Sequence, residues 1–176
     1  MLTWIHEIDW RVLDWIYKHT RTRLGNFVMP LLSISGNFGF IWFLTAAAFY
    51  FLKKSQDAAE AIFFALVISS FFGSIVLKNL VRRPRPFNTR EGYDTIIQHP
   101  VDLSFPSGHT FTSFAAASAV CFYFPFWGAL SLLLAGCISF SRLYLCVHFL
   151  SDVVTSAVLG VGTGIAVHYL VNMNLF

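Results

Sequence analysis

Between residues 103 and 176 the chain carries two formal charges, Arg142 and Asp152, and from 106 to 141 it carries none. A helix of that charge-free length would be about 54 Å long at ~1.5 Å per residue, too long for one ~30 Å hydrocarbon core and right for two crossings. Pro125 lies in its middle and is the expected turn. A soluble domain would carry about 25% charged residues. This chain of 176 residues has 12%, with 56% hydrophobic residues and 20 Phe. So little polar surface cannot cover a water-soluble globule, and the length leaves room for one membrane domain only.

The other charges cluster, and the clusters mark the ends of spans. Residues 1–25 hold seven, 53–60 hold four and 78–102 hold eight. Spans are therefore expected at about 37–52 (or begun somewhat earlier), 58–79, two within 106–141, and 148–171. The segment 24–35, interrupted by Pro30, is too short to cross alone. The predicted fold is all-α: an integral membrane helical bundle of about five transmembrane helices, six if 24–35 also crosses. Residues 1–176 form one domain, with 1–36 as an N-terminal segment and 37–171 as the transmembrane core. In 4–16, Trp4, Ile5, Ile8, Val12, Trp15 and Ile16 fall at helical spacing. This pattern suits an amphipathic helix in the membrane interface, and equally one packed on the protein. Gly160 and Gly164 predict a close helix contact in the last span. Cys121, Cys137 and Cys146 lie in apolar stretches and read as small hydrophobes. No cleavable leader is expected.

Counting crossings places Lys78, residues 106–109, Arg142 and His148 on one side of the membrane. Lys53 and Lys54 fall on the other. The lysine pair prefers the cytoplasm, which puts the shared face outside, although the 78–90 loop is itself basic. The net charge of +3 and the absence of a solvent-facing basic run exclude nucleic acid as a partner.

That shared face gathers Lys78, Arg82, Arg83, Arg85, Pro106-Ser107-Gly108-His109, Ser141-Arg142, His148 and Asp152. Asp152 is four residues after His148, within reach of its ring if both lie on a helix. A carboxylate on one imidazole nitrogen fixes the tautomer and frees the other nitrogen as base or nucleophile. Lys and Arg neutralise phosphate oxygens, and Ser107-Gly108 before a helix offers backbone N–H groups to an anion. Taken singly, Lys78 or Arg82 would read as a snorkelling anchor and Arg142 with Asp152 as an ion pair between spans. Those readings do not explain the convergence of every piece on one face.

Three stretches together resemble the signatures of the type 2 phosphatidic acid phosphatase superfamily. They are Lys78 with six residues before Arg85-Pro86, then Pro106-Ser107-Gly108-His109, then Ser141-Arg142 with His148 and Asp152. All eleven specified positions agree in order and spacing; residues 1–36 lie outside the resemblance. It implies a metal-independent lipid phosphatase acting through a phosphohistidine, with no cofactor. His148 would be the nucleophile, Asp152 its orienting carboxylate and His109 the general acid and base. Lys78, Arg85, Ser107, Gly108 and Arg142 would hold phosphate. The lipid phosphate favoured is undecaprenyl diphosphate. Phosphatidylglycerophosphate or phosphatidic acid follows, then a lipid A phosphate. An alternative of another class is a non-catalytic lipid-binding or transport membrane protein.

Overall fold

A computed structural model describes residues 3–52 and 55–175. Lys53 and Lys54, on which the orientation argument leans, lie outside the described residues. Among those described, the fold is all-helical. Its elements are α1 (Thr3–His19), α2 (Arg23–Ser35), α3 (Phe40–Phe51), α4 (Gln56–Ser70), α5 (Lys78–Val81), α6 (Pro86–Thr89), α7 (Gly108–Tyr123), α8 (Pro125–Tyr144) and α9 (Leu150–Asn172). A π-helical segment, Phe71–Leu77, joins α4 to α5 in one continuous rod.

The helical run Gln56–Thr89, α8 and α9 are each long and apolar enough to cross a membrane. The pair α2 and α3 is a fourth candidate, bent by 53°. Two expectations change here. The segment 37–52 is not a span in its own right, because α3 has only 12 residues. It is the second half of a broken unit whose first half is α2. The break is not at Pro30, which sits inside α2. It falls at Gly36–Gly39, where Phe38 and Gly39 take left-handed φ values of 52° and 70°. Second, α7 has 16 residues, about 24 Å, short of a full crossing. It is instead the centre of the bundle, enclosed by α4, α8 and α9, with ten of its residues buried.

Small residues make that enclosure possible. A Cβ placed on Gly160 would come within 2.7 Å of the Phe111 carbonyl oxygen, and one on Gly164 within 2.6 Å of that of Ala115. Neither methyl could be accommodated, so the glycines let α9 lie directly on the α7 backbone, as their spacing suggests. Gly128 does the same for α8, where a Cβ would be 2.4 Å from Cys121 Cα. Pro125 opens α8 one residue after Phe124 ends α7, the turn its position predicts. This tight packing sets the N-termini of α7 and α9 side by side.

The helix α1 answers to both of its readings at once. Asp9, Leu13 and Ile16 are buried against the protein, whereas Trp4, Ile8 and Trp15 are exposed. Leu13 packs with Cys146 and Phe149, and Ile16 with Leu143 and Val153. The helix thus lies on the ends of α8 and α9 and turns Trp4 and Trp15 outward, while Trp10 packs against Phe149 and Tyr93. The burial of Asp9 on its packed face is unexpected, since an unpaired buried carboxylate is strongly disfavoured.

Candidate active site

A cavity of about 690 Å³ opens where the ends of α2, α5, α7 and α8 meet the 82–107 loop. Lys78, Arg85, Gly108, His109, Arg142 and His148 all line it. The residues expected to share a membrane face are therefore brought together. They arrive from five different segments, Gly108 and His109 sharing the first turn of α7. The π-helical turn carries Ser74 and then Lys78 inward. Arg85 precedes α6, His109 is on the first turn of α7, and Arg142 is on the last turn of α8.

His148 does not open the last helix. It sits in the link between α8 and α9, two residues before Leu150. The i,i+4 spacing finds the right pair for a different geometric reason. Asp152, in the first turn of α9, folds back to accept the Phe149 N–H at 2.9 Å, which holds the link against the helix end. His148 Nδ1 is then 3.7 Å from Asp152 Oδ2, a close charge contact longer than a hydrogen bond. Arg85 Nη1 lies 3.2 Å from His148 Nε2 and donates 2.6 Å to the Val147 carbonyl. With Arg85 donating, Nε2 carries the lone pair and Nδ1 the proton, turned toward Asp152. A fully buried imidazole thus sits at the wall of a cavity lined by three cations, with its Nε2 lone pair engaged by one of them, Arg85.

Arg142 is 3% exposed; its Nη1 donates to Ser33 Oγ, and its Nε has no hydrogen-bond partner among the described residues. His109 Nε2 is 2.8 Å from Asn37 Oδ1, so with the amide oxygen accepting, this nitrogen carries a proton. Asn37 comes from the α2–α3 break, and a Cβ on the adjacent Gly36 would meet His109 Cδ2 at 3.0 Å. Gly108 has open space where a Cβ would be. Ser107 is placed differently from expectation. It is fully buried behind the cavity, its N–H donates to Ser156 Oγ at 2.8 Å, and Thr110 donates to its hydroxyl. Its N–H is thus committed to structure, which leaves Gly108 at the cavity wall.

Three participants, Asp102, Ser104 and Asp9, were not read from the sequence, and a fourth, Arg83, falls on the shared face there without a role. Asp102 bridges the two cations of the first stretch. Lys78 Nζ donates to its Oδ2, Arg85 Nη2 to its Oδ1 at 2.5 Å, and Arg85 Nε to its carbonyl at 2.8 Å. Burial alone would raise the Asp102 carboxyl, but Lys78 and Arg85 outweigh it and hold it down to about 2. Arg83 is buried rather than an anchor, and donates to Asp152 Oδ1 and to Asp9 Oδ2, both at 2.6 Å. Ser104 Oγ donates to Asp152 Oδ2 at 2.5 Å. Asp9 was the one legible signal: a carboxylate in register with Leu13 and Ile16 on an apolar stripe. Arg82, by contrast, is exposed, bonds the Asn79 carbonyl at 3.0 Å and does not line the cavity.

Together these features define a multi-pass membrane protein with a cationic, imidazole-bearing anion site at one end of its bundle. Residues 58–176 match the PAP2 superfamily, and the chain belongs to it. It is 29% identical over 133 residues to the bacitracin transport permease protein BcrC of Bacillus licheniformis, covering 69% of this chain and 65% of that one. It is also 29% identical over 136 residues to an undecaprenyl-diphosphatase of Sulfolobus acidocaldarius, covering 77% and 65%. The chain thus spans slightly less than two thirds of these relatives' length. Among solved structures, Aquifex aeolicus LpxE superposes with a TM-score of 0.73 at 25% identity, covering 91% of this chain and 94% of the other. A PAP2-type phosphatidylglycerolphosphate phosphatase from Bacillus subtilis shares the fold with a TM-score of 0.72 at 21% identity, covering 96% and 84%.

Proposed function

We propose that this protein is a lipid phosphatase that removes phosphate from a membrane-anchored lipid through a phosphohistidine on His148. The observation that carries this reading is His148 at the wall of a cavity lined by Lys78, Arg85 and Arg142, its Nε2 held by an Arg85 guanidinium that phosphate would draw away, with Asp152 behind the ring. Those cations would hold the phosphate oxygens, helped by the α7 N-terminus at Gly108. His148 Nε2 attacks the terminal phosphorus as its bond to the leaving oxygen breaks (the bridging oxygen of a diphosphate, or the ester oxygen of a monophosphate), and His109 gives that oxygen its proton. His109 then takes a proton from water, whose oxygen attacks the phosphohistidine and releases inorganic phosphate.

The favoured substrate is undecaprenyl diphosphate, supported by the Sulfolobus relative and by a cavity with room for a headgroup larger than one phosphate. The extra arginines do not support it. Arg82 points away, and Arg83 is held by two carboxylates. Phosphate release from a panel of purified lipids decides the matter: undecaprenyl diphosphate should be hydrolysed faster than phosphatidic acid, phosphatidylglycerophosphate or lipid A phosphate. No release from any of them would overturn the phosphatase reading.

In this reading the site faces outward from the cell membrane, supported by the Lys53–Lys54 pair falling on the opposite side by the count of crossings. A cysteine at Asn88 should react with an impermeant reagent on intact cells, and one at Ser55 should not. The reverse pattern would move the site to the cytoplasm.

Asp102 occupies two of the three phosphate-holding cations, so an incoming phosphate must displace it. Asp102→Asn should therefore tighten inorganic phosphate binding by ~3–10-fold, measured by calorimetry. Because its carboxyl is held below the ordinary 3.8, the ion pairs stabilise the fold above that pH. They are lost only as the pH falls through about 2, so this competition should not change across the neutral range.

A further inference from the structure

The three carboxylate and guanidinium groups behind His148 form a buried chain that no known role of the site explains. Asp9 is 1% exposed, Arg83 5% and Asp152 0%. Arg83 Nη2 donates to Asp9 Oδ2 and Arg83 Nη1 to Asp152 Oδ1, each at 2.6 Å. Ser151 completes the Asp9 end: its N–H donates to Oδ1 at 2.8 Å and its hydroxyl to Oδ2 at 2.6 Å. The guanidinium carbon lies 4.0 Å above the Phe149 ring, and the Arg83 carbonyl accepts the Ser104 N–H at 2.9 Å. The link therefore runs from α1, outside the signature stretches, through the 82–107 loop to the carboxylate beside His148.

Charge counting gives this chain a purpose. A guanidinium remains protonated in proteins, so Arg83 is a fixed positive charge. Paired with Asp152 alone, it would cancel the carboxylate that His148 faces. Asp9 cancels Arg83 instead, and the buried set carries a net charge of −1. His148 needs that charge. It is faced by Arg85 from the loop, Arg142 from α8 and His109 from α7, and Asp152 is the carboxylate against its ring. When Nε2 bonds phosphorus the ring becomes cationic with its proton still on Nδ1. Charges a few ångströms apart in a water-poor interior interact strongly.

We propose that Asp9 is a positioning residue of the active site: by neutralising Arg83 it leaves Asp152 free to support the imidazole when His148 forms its covalent bond. The proposal rests on His148 as nucleophile, and its test does not require that any lipid be hydrolysed.

The probes are two inorganic anions binding to the full chain in detergent, measured by calorimetry at one pH. Orthovanadate accepts an axial bond from an imidazole nitrogen, whereas inorganic phosphate is gripped by the cations alone. Asp9→Asn should weaken vanadate by ~10-fold or more and leave phosphate within about twofold, since a buried charge is removed without touching the cations. Adding Arg83→Gln removes the opposite charge, and the double variant should recover most of the vanadate affinity. A purely structural role predicts instead that both anions weaken together and that the double variant is worse than the single. Either result overturns the proposal, as does an unchanged Asp9→Asn or a wild-type protein that binds neither anion. Should Asp9→Asn not fold, the double variant decides alone: wild-type vanadate binding supports the proposal and its loss overturns it. If vanadate behaves as expected but no lipid releases phosphate, the phosphatase reading fails and the role of Asp9 stands.

Discussion

His148→Ala should abolish turnover, a loss of roughly a million-fold, the scale seen when a covalent nucleophile is removed. The imidazole is fully buried at the cavity wall, and its Nε2 carries the attacking lone pair. Alanine takes away the attacking atom while leaving Lys78, Arg85 and Arg142 in place to hold phosphate. Inorganic phosphate should therefore bind within about threefold of wild type, because the grip belongs to the cations. Rapid quench in alkaline detergent with labelled substrate should trap an alkali-stable, acid-labile phosphoenzyme in the wild type and none in the variant. A phosphoenzyme that persists in His148→Ala, or forms on His109, would reverse the assignment.

His109→Ala should cost ~10²–10⁴-fold with a lipid substrate, the usual contribution of a general acid. A lipid diphosphate leaves as a lipid phosphate and should show the smaller loss, whereas a lipid phosphomonoester leaves as a poor alkoxide that needs the proton His109 carries. An aryl phosphate leaves without one, so with that substrate the variant should still form its phosphoenzyme at close to the wild-type rate. Breakdown of the intermediate should then be slow, because the water attacking it lacks its base. A burst of aryl alcohol followed by slow steady release is the expected trace. Equal losses on both substrates would assign His109 to binding instead. Asn37→Ala should remove the acceptor that orients the His109 ring, since Asn37 Oδ1 is the partner of His109 Nε2, and should lower the rate with a lipid monoester more than with an aryl phosphate.

The pattern of apolar runs and charges identified the fold class and the residues around the cavity. Lipid allows only backbones that satisfy their own hydrogen bonds, so a charge-free run is nearly synonymous with a helix. The charged positions left near the spans are then few enough to be read one by one. Pro125 marked its turn, and Gly160 with Gly164 marked the α7–α9 contact, for local reasons: a missing N–H in one case and a missing side chain in the other.

What composition could not show was where helices stop inside the bundle. Pro30 is the expected breaker, yet the backbone breaks at Gly36–Gly39, because within 23–51 it takes left-handed φ values at Phe38 and Gly39 and not at Pro30. The short α7 is sustained by burial on all sides, a property of its neighbours and not of its own hydropathy.

The sequence by itself determined that this is a helical membrane protein and that Lys78, Arg85, Gly108, His109, Arg142 and His148 belong together, since hydropathy and spacing are properties of the chain. Only the tertiary structure decided the partners of each charge. Arg82 and Arg83 are adjacent and chemically alike, but the left-handed Arg82, with φ 50°, turns one side chain outward and the next into the protein. Ser107, expected at the phosphate, is withdrawn behind the cavity, and Asp102, for which no role was read from the sequence, is placed on its cations. A buried charge is stable only beside its counter-charge, and contacts such as Asp9 with Arg83 form between segments far apart along the chain. No local pattern encodes that distance.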